Sequence, residues 1–236
     1  MNGAKGCLDL TAVLDWNPMR RPPYWRLVGE FRSLLSNRPM SPAPDSLPNG
    51  RGRPILVIPA LFTGDRFTLD LRQFLQRCGF RTFGWELGTN WGPTRHLLDG
   101  VARRVDALYR DHGPLALIGV SLGGLFARDL AYERPGQIRH VVTIASPFRL
   151  PTATTLGPLI RVCARSYSPE IQTERLQSPL PVPSTMILTR DDGIVAWNSC
   201  RVEEPDGEIF ELKGAHLTLG SDPAARRIIV ERLAGT

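Results

Sequence analysis

The sequence contains no apolar run long enough to cross a membrane. Its longest apolar stretch, PILVIPALF at 54–62, is interrupted by proline and is much shorter than the roughly 18 residues that a membrane span needs. The first residues carry an acidic side chain where a secretory signal would be apolar, and they lack an obvious small-residue cleavage site. We therefore expect a cytoplasmic protein with no stable insertion into a membrane.

Cysteine is also scarce, and its spacing excludes the common cysteine-based sites. Cys7, Cys78, Cys163 and Cys200 form neither a CxxC motif nor a cluster with histidine, which argues against a structural zinc site and a redox motif. We expect free thiols, although the sequence leaves a Cys163–Cys200 disulfide open. No metal and no organic cofactor is implied.

Lysine is almost absent, because Lys5 and Lys213 are the only two lysines and every other basic residue that contributes to the net charge of +6 is an arginine. The basic residues are scattered along the chain, whereas a nucleic-acid-binding surface gathers them into a patch or stripe. The arginine bias, together with the many prolines and glycines, fits a GC-rich coding sequence. The sequence thus predicts no nucleic-acid partner, and it leaves the oligomeric state open.

The length of 236 residues and the hydrophobic content of 42% predict one globular domain over residues 1–236. Residues 1–53 form an N-terminal arm, in which we expect an amphipathic helix at 24–36 and a loop rich in proline and glycine at 37–53. The helix face expected to pack inward carries four apolar side chains, Leu27, Phe31, Leu34 and Leu35.

From residue 54 onwards, short apolar runs alternate with segments of helical period, a pattern typical of βαβ units. The candidate strands are 54–59, 80–86, 115–120, 140–145, 184–190 and 207–213. The candidate helices are 66–78, 95–111, 122–134 and 223–234. These features predict an α/β fold with a mostly parallel, doubly wound sheet and helices on both faces. Residues 147–183 interrupt the alternation, and we expect them to form a short cap or lid.

A candidate nucleophile, Ser121, lies in the pentapeptide Gly119-Val120-Ser121-Leu122-Gly123, which matches G-x-S-x-G. The motif alone is weak evidence, because about one chain in ten of this composition would contain it by chance. Here it directly follows an apolar strand and begins a helix, which is the setting of a nucleophile elbow. The alternative is a glycine-rich turn with an incidental serine.

A serine hydroxyl needs a base to accept its proton, and the chain contains four histidines. His96 and His112 precede Ser121, while His140 begins the strand that follows the elbow helix. His216 lies after the last candidate strand and before the last helix, where the order Ser, Asp/Glu, His places the base. The sequence therefore indicates His216.

The acid should follow strand 184–190, where the sequence reads TRDDGIVAW. Asp191 and Asp192 both qualify by position. Asp192 is favoured because a turn glycine and an apolar pair follow it, and these would re-enter the core and fix the carboxylate. Its role would be to hold the tautomer of His216 and to stabilise the imidazolium. The alternative for either aspartate is an Asp-Gly turn.

The charge that develops on a substrate carbonyl needs two backbone N–H donors. We expect one from Leu122, the residue after the nucleophile, and the other from Leu61 or its neighbours in PALFTGD.

The segments PALFTGD, GVSLGG, DDGIV and GAHLTLG, in this order and spacing, resemble those of bacterial α/β-hydrolases of the lipase/esterase group. The resemblance covers residues 54–236. It implies Ser121, Asp192 and His216 as the catalytic triad, with Leu61 and Leu122 supplying the oxyanion hole.

The chain is similar in particular to the branch with a PGF-like segment after its oxyanion strand and a G-x-N-x-G-P loop after the next strand, here residues 88–93. Ala60 stands where the group usually has glycine, and Val120 stands where many members have histidine. Asn90 and Trp91 either border the site or form a plain turn.

These features predict a serine hydrolase, a carboxylesterase or lipase, that cleaves a small-molecule or lipid ester through an acyl-enzyme. The same triad also serves thioesterases, amidases and acyltransferases, because the acyl acceptor is not encoded in the triad. A non-catalytic ligand-binding protein on the same fold is the remaining alternative. The apolar residues of 147–183 fit either an acyl-chain site or ordinary core packing.

Overall fold

A computed structural model describes residues 21–35, 41–149, 154–163, 167 and 173–235. Within these ranges six strands form a parallel sheet in the order β2-β1-β3-β4-β5-β6. The strands are β1 (Pro54–Ile58), β2 (Arg81–Gly84), β3 (Leu115–Val120), β4 (Ile138–Ile144), β5 (Ser184–Thr189) and β6 (Gly207–Leu212). The chain winds outward from β1 to β2 and then back to β3, so the topological switch lies between β1 and β3. In open α/β sheets, ligands bind at the carboxyl ends of the strands beside such a switch.

The helices are α1 (Arg26–Leu35), α2 (Asp65–Arg77), α3 (Arg95–His112), α4 (Gly123–Glu133), α5 (Gly157–Cys163), α6 (Thr173–Gln177) and α7 (Pro223–Gly235). Their ends follow local chemistry. The side chain of Thr94 accepts a hydrogen bond from Leu97 N and caps the start of α3, and Gly113 ends that helix with a φ of 76°. The bounds of α2, α3, α4 and α7 agree with the predicted helices to within one residue.

Two apolar clusters cover the two faces of the sheet. On one face α3 and α4 contribute Leu97, Val101, Leu125 and Phe126. On the other face α2 and α7 contribute Phe74, Leu75, Ile229 and Val230. Because β1, β3 and β5 lie between these layers, every one of their residues is buried, which explains the continuous apolar runs of β1 and β3. The predicted α/β class with helices on both faces is confirmed.

The predicted cap at 147–183 lies partly outside the described residues, since 150–153, 164–166 and 168–172 are among the others. Its described ends are anchored. Thr154 forms an isolated antiparallel bridge with Val195, and the guanidinium of Arg128 on α4 donates to the carbonyls of Leu176 and Ser178. The cap itself stays a prediction.

The N-terminal arm contains its predicted helix, but part of the predicted inward face was wrong. Phe31 is 64% exposed, whereas its neighbour Glu30 is 1% exposed. Leu27 packs against a small buried cluster, and the side chains of Leu34 and Leu35 lie outside the described set. The helix is rotated in this way because the carboxylate of Glu30 accepts hydrogen bonds from three backbone N–H groups in the loops after β5 and β6.

Cys200 is a buried free thiol, so the disulfide with Cys163 that the sequence left open does not form. Cys78 is also free. Across the described ranges, no helix combines the length and apolar character that a membrane crossing requires.

Candidate active site

Ser121 stands at the sharp turn between β3 and α4, with a φ of 51° that non-glycine residues rarely adopt. Its N–H donates to the carbonyl of Ile144, at 2.7 Å, which ties the turn to the end of β4. Both motif glycines are needed for close packing, because a Cβ at Gly119 would collide with the backbone of Gly124 and one at Gly123 with that of Ile58. The structure thus has the strained strand–turn–helix geometry that the sequence predicted.

His216 and Asp192 are joined by a hydrogen bond in the interior of the protein. His216 Nδ1 lies 2.7 Å from Asp192 Oδ2, and the two side chains are 5% and 1% exposed. Both residues follow strands, Asp192 in the loop after β5 and His216 in the loop after β6. We call residues 190–196 the acid loop and residues 213–217 the base loop.

The structure separates the two candidate acids. Asp192 Oδ1 accepts hydrogen bonds from the backbone N–H groups of Ile194 and Val195, at 2.8 and 2.7 Å, so its other oxygen is aimed at His216. Asp191 is exposed. The backbone N–H groups of the apolar pair after the turn glycine therefore hold the carboxylate of Asp192.

The surroundings of His216 raise its pKa above the ordinary histidine value. Burial alone would lower the pKa, because it disfavours the charged imidazolium. The carboxylate of Asp192 opposes burial through its charge and its hydrogen bond, and the charge of Glu30 acts in the same direction. The net effect favours a proton on this imidazole.

The base loop leads into a 3₁₀ helix, His216–Ser221. This short helix contacts β5 at one side and α2 at the other, and α2 packs on β1 and β2. Its Leu219 belongs to the same buried cluster as Val120 and Ala145, which flank the carboxyl ends of β3 and β4. Ser121 is only partly buried, and no hydrogen bond joins its side chain to His216 in the described structure. Such contacts are often long in proteins without bound substrate.

His140 and His112 are placed away from this edge of the sheet, near the start of β3. His140 pairs with Ala116, near the start of β3, and its Nε2 lies 2.9 Å from the hydroxyl of Thr185. Burial lowers the pKa of His140 to about 4, with the charge of Arg139 acting in the same direction. His112 ends α3 and stacks on Phe83, and His96 is in the first turn of α3.

The predicted oxyanion donors lie at the ends of β1 and β3. Within the described chain, neither the Leu61 nor the Leu122 backbone N–H donates a hydrogen bond to another protein group. The neighbouring Phe62 N–H is already used, because it donates to the carbonyl of Asn90 at 2.7 Å. Among the residues of this turn, Leu61 is therefore the better candidate.

Asn90 has a structural role beside this turn, although the sequence left its role open. Its side chain is fully buried, donates to the carbonyl of Pro59 at 2.8 Å and accepts from Gly92 N at 3.0 Å. Its backbone N–H donates to the carbonyl of Thr63 at 2.8 Å. Asn90 thus holds the loop after β1 to the loop after β2.

An aromatic group borders the same loop. Phe62 and Trp91 meet edge to face, with ring centroids 5.8 Å apart, and Trp91 is 56% exposed. The ring of Tyr167 lies against Gly92, because a Cβ at Gly92 would collide with it. The surface beside the loops after β1 and β2 is consequently apolar and aromatic.

Sequence reasoning missed Glu30, which contacts both the acid loop and the base loop. Its carboxylate accepts from the backbone N–H groups of Gly193, His216 and Leu217. A lone glutamate on an amphipathic helix gives no sign of such a role, since glutamates on helices usually face solvent. No group of three His, Cys, Asp or Glu side chains in the described ranges is arranged to hold a metal ion.

No protein-family model matches the chain, and no curated protein does. Many solved structures share its architecture. A monoacylglycerol lipase from Paleococcus ferrophilus matches with a TM-score of 0.57 and 17% identity, over 80% of this chain and 96% of that one. An α/β superfamily hydrolase from Oenococcus oeni matches with a TM-score of 0.56 and 13% identity, over 78% and 95%.

Lipase B from Aspergillus fumigatus matches with a TM-score of 0.60 and 16% identity, over 83% of this chain and 55% of that longer one. Identities this low carry information about the fold and not about the substrate. Together with the parallel sheet and its helices, these similarities show that the chain has the α/β-hydrolase fold.

Proposed function

We propose that this protein is a serine hydrolase that cleaves carboxylic esters through an acyl-enzyme. Ser121 is the nucleophile, His216 is the general base and acid, and Asp192 orients the imidazole. The observation that carries the proposal is the buried 2.7 Å hydrogen bond between His216 and Asp192, in a chain that also holds Ser121 in a strained turn at the carboxyl end of β3. A buried carboxylate and histidine are costly unless they are paired, so this arrangement is typical of a functional site.

In the proposed reaction, His216 Nε2 accepts the proton of the Ser121 hydroxyl as its oxygen bonds to the ester carbonyl carbon. The negative charge that develops on the carbonyl oxygen is stabilised by the backbone N–H groups of Leu61 and Leu122. The imidazolium, stabilised by Asp192, then gives its proton to the departing alcohol. Water then attacks the acyl-enzyme, and His216 accepts a proton from it as the water oxygen bonds to the acyl carbon. The imidazolium returns this proton to Ser121 Oγ as the bond between the serine and the acyl group breaks, which releases the acid.

Several lipases and hydrolases among the similar structures support the proposal at the level of the reaction class. The raised pKa of His216 supports it at the level of the base, since a more basic imidazole accepts the serine proton more readily. The aromatic border formed by Phe62, Trp91 and Tyr167 favours an apolar group on the substrate.

The decisive experiment compares the wild-type protein with Ser121→Ala in hydrolysis of p-nitrophenyl esters and in labelling by a fluorophosphonate. We expect the wild type to be labelled at Ser121 and the variant to lose at least about 10³-fold in kcat. Ser46→Ala is the matched control, because Ser46 is exposed and lies in a short 3₁₀ turn distant in sequence from the elbow. Equal turnover by Ser121→Ala, or absence of labelling in the wild type, would refute the proposal.

Substrate preference is tested with a series of p-nitrophenyl esters from acetate to decanoate. We expect kcat/KM to rise with the acyl chain over the first members, because each added methylene is removed from water at the aromatic border. Trp91→Ala should flatten this rise without changing kcat for the acetate ester. A rise that is the same in the variant would show that this border does not bind the acyl chain.

A further inference from the structure

Glu30 is a buried carboxylate that comes from the N-terminal arm. It lies on α1 and is 1% exposed, although a charged side chain is rarely buried unless its oxygens are satisfied. Glu30 Oε1 accepts from Gly193 N at 2.7 Å and from His216 N at 3.0 Å, and Oε2 accepts from Leu217 N at 3.0 Å. Three charge-assisted hydrogen bonds therefore hold this carboxylate in place.

The three donors belong to the two loops that carry the proposed acid and base. Gly193 follows Asp192 directly, and the N–H of His216 belongs to the base itself. One carboxylate group thus joins the acid loop to the base loop, at the position where Asp192 and His216 must keep a 2.7 Å separation. Sequence separations of 163 to 187 residues show that only the tertiary fold brings Glu30 to them.

The contact between α1 and the acid loop is tight. A Cβ at Gly193 would collide with the carbonyl oxygen of Arg26 and with Cγ of Glu30, so glycine is required there. Arg26 Nη1 also donates to the carbonyl of Arg190, at 2.8 Å, at the start of the same loop. The helix α1 is therefore fixed to the acid loop at two places, at Arg190 and at Gly193.

We propose that Glu30 is a positioning residue that sets the relative placement of Asp192 and His216, and that α1 is consequently part of the active-site architecture. This inference rests on the proposed function, because positioning matters only if the two residues take part in a reaction. Truncating or moving α1 would leave the sheet and the elbow in place and disturb the acid and base.

The charge of Glu30 gives the proposal a second readout. The carboxylates that act on the imidazole of His216 are Asp192, from the acid loop, and Glu30, from α1, and both raise its pKa against the effect of burial. Removing the Glu30 charge should therefore lower the pKa of His216, while a residue with a merely structural role would leave it unchanged.

The test is Glu30→Gln, with Glu231→Gln on α7 as the matched control, because Glu231 forms a long, partly exposed ion pair with Arg227. Glutamine keeps the size of the side chain, but its amide NH₂ faces a donor and cannot accept from it. We expect kcat for a p-nitrophenyl ester to fall about 10- to 100-fold with little change in KM, because misplaced catalytic groups slow the chemical step. The acid limb of the pH profile of kcat/KM should move to lower pH in Glu30→Gln. The control Glu231→Gln should match the wild type in both kcat and the position of the acid limb.

Glu30→Asp separates geometry from charge. It keeps the buried charge and shortens the side chain by one methylene, so we expect kcat to fall while the acid limb stays closer to the wild-type position. This variant also carries the test if Glu30→Gln does not fold, as judged by circular dichroism and thermal unfolding. A folded Glu30→Asp with wild-type kcat would then overturn the proposal.

An NMR titration of His216 distinguishes a failure of this inference from a failure of the proposed function. The His216 resonance is assigned from its loss in His216→Asn. If the wild type is active and folded Glu30→Gln retains both its kcat and its acid limb, the positioning role is wrong and the proposed function stands. If the wild type neither turns over esters nor reacts with a fluorophosphonate, the proposed function fails. The same His216 resonance pKa in the wild type and in Glu30→Gln would then overturn the role of Glu30 as well.

Discussion

The substitution Asp192→Asn should reduce turnover by changing which nitrogen of His216 carries the proton. Asp192 Oδ1 is held by the N–H groups of Ile194 and Val195, so the oxygen of an introduced asparagine keeps that position. Its NH₂ group then faces His216 Nδ1 at the place where Asp192 Oδ2 now lies, 2.7 Å away. Two donors cannot share one hydrogen bond, so Nδ1 gives up its proton and Nε2 keeps one.

A protonated Nε2 has no lone pair for the proton of Ser121. The loss of the correct tautomer, together with the loss of charge beside the imidazolium, is worth about 10⁴ in kcat, or about 5.4 kcal/mol of transition-state stabilisation. The assay measures kcat and KM for a p-nitrophenyl ester, with thermal unfolding to show that the variant is folded.

Asp191→Asn is the matched control, because it makes the same chemical change one residue away on an exposed side chain. We expect it to retain kcat within about twofold, since surface substitutions away from a site have small effects. A folded Asp192→Asn that loses less than about tenfold, or an equal loss in both variants, would refute the assignment of the acid.

Two further predictions concern buried polar groups. Asn90→Ala leaves the buried carbonyl of Pro59 without its side-chain donor, so we expect a loss of about 1–3 kcal/mol in urea unfolding and a lower kcat/KM. Wild-type values of both would show that Asn90 does not hold the loop after β1 to the loop after β2. His140, with a pKa of about 4 in the fold and about 6.5 when unfolded, takes up a proton in the unfolded state first as the pH falls, so the free energy of unfolding decreases below pH 6.5. From pH 7.5 to 5 this costs about 2 kcal/mol, and the stability difference between the wild type and His140→Gln should shift by that amount in urea titrations; a constant difference would contradict it.

The sequence determined most of the sheet and the candidate residues at its carboxyl edge. Buried parallel strands carry continuous apolar runs, and helices carry apolar residues at helical spacing, so β1, β3 and α3 could be predicted from local pattern alone. Ser121 could be singled out as the candidate nucleophile because an elbow requires glycines at fixed offsets. His216 could be singled out as the candidate base by elimination, because the order of elements along the chain indicates which loop would carry the base.

Only the tertiary structure decided what depends on contacts between distant segments. Asp191 and Asp192 are chemically identical in sequence, and the choice between them depends on which carboxylate accepts from the returning backbone of Ile194 and Val195. The prediction that Phe31 faces inward on α1 was wrong because apolar spacing was taken as the only reason for burial. Glu30 is buried by three N–H groups that the sheet's loops supply from more than 160 residues away, and no local pattern encodes such donors.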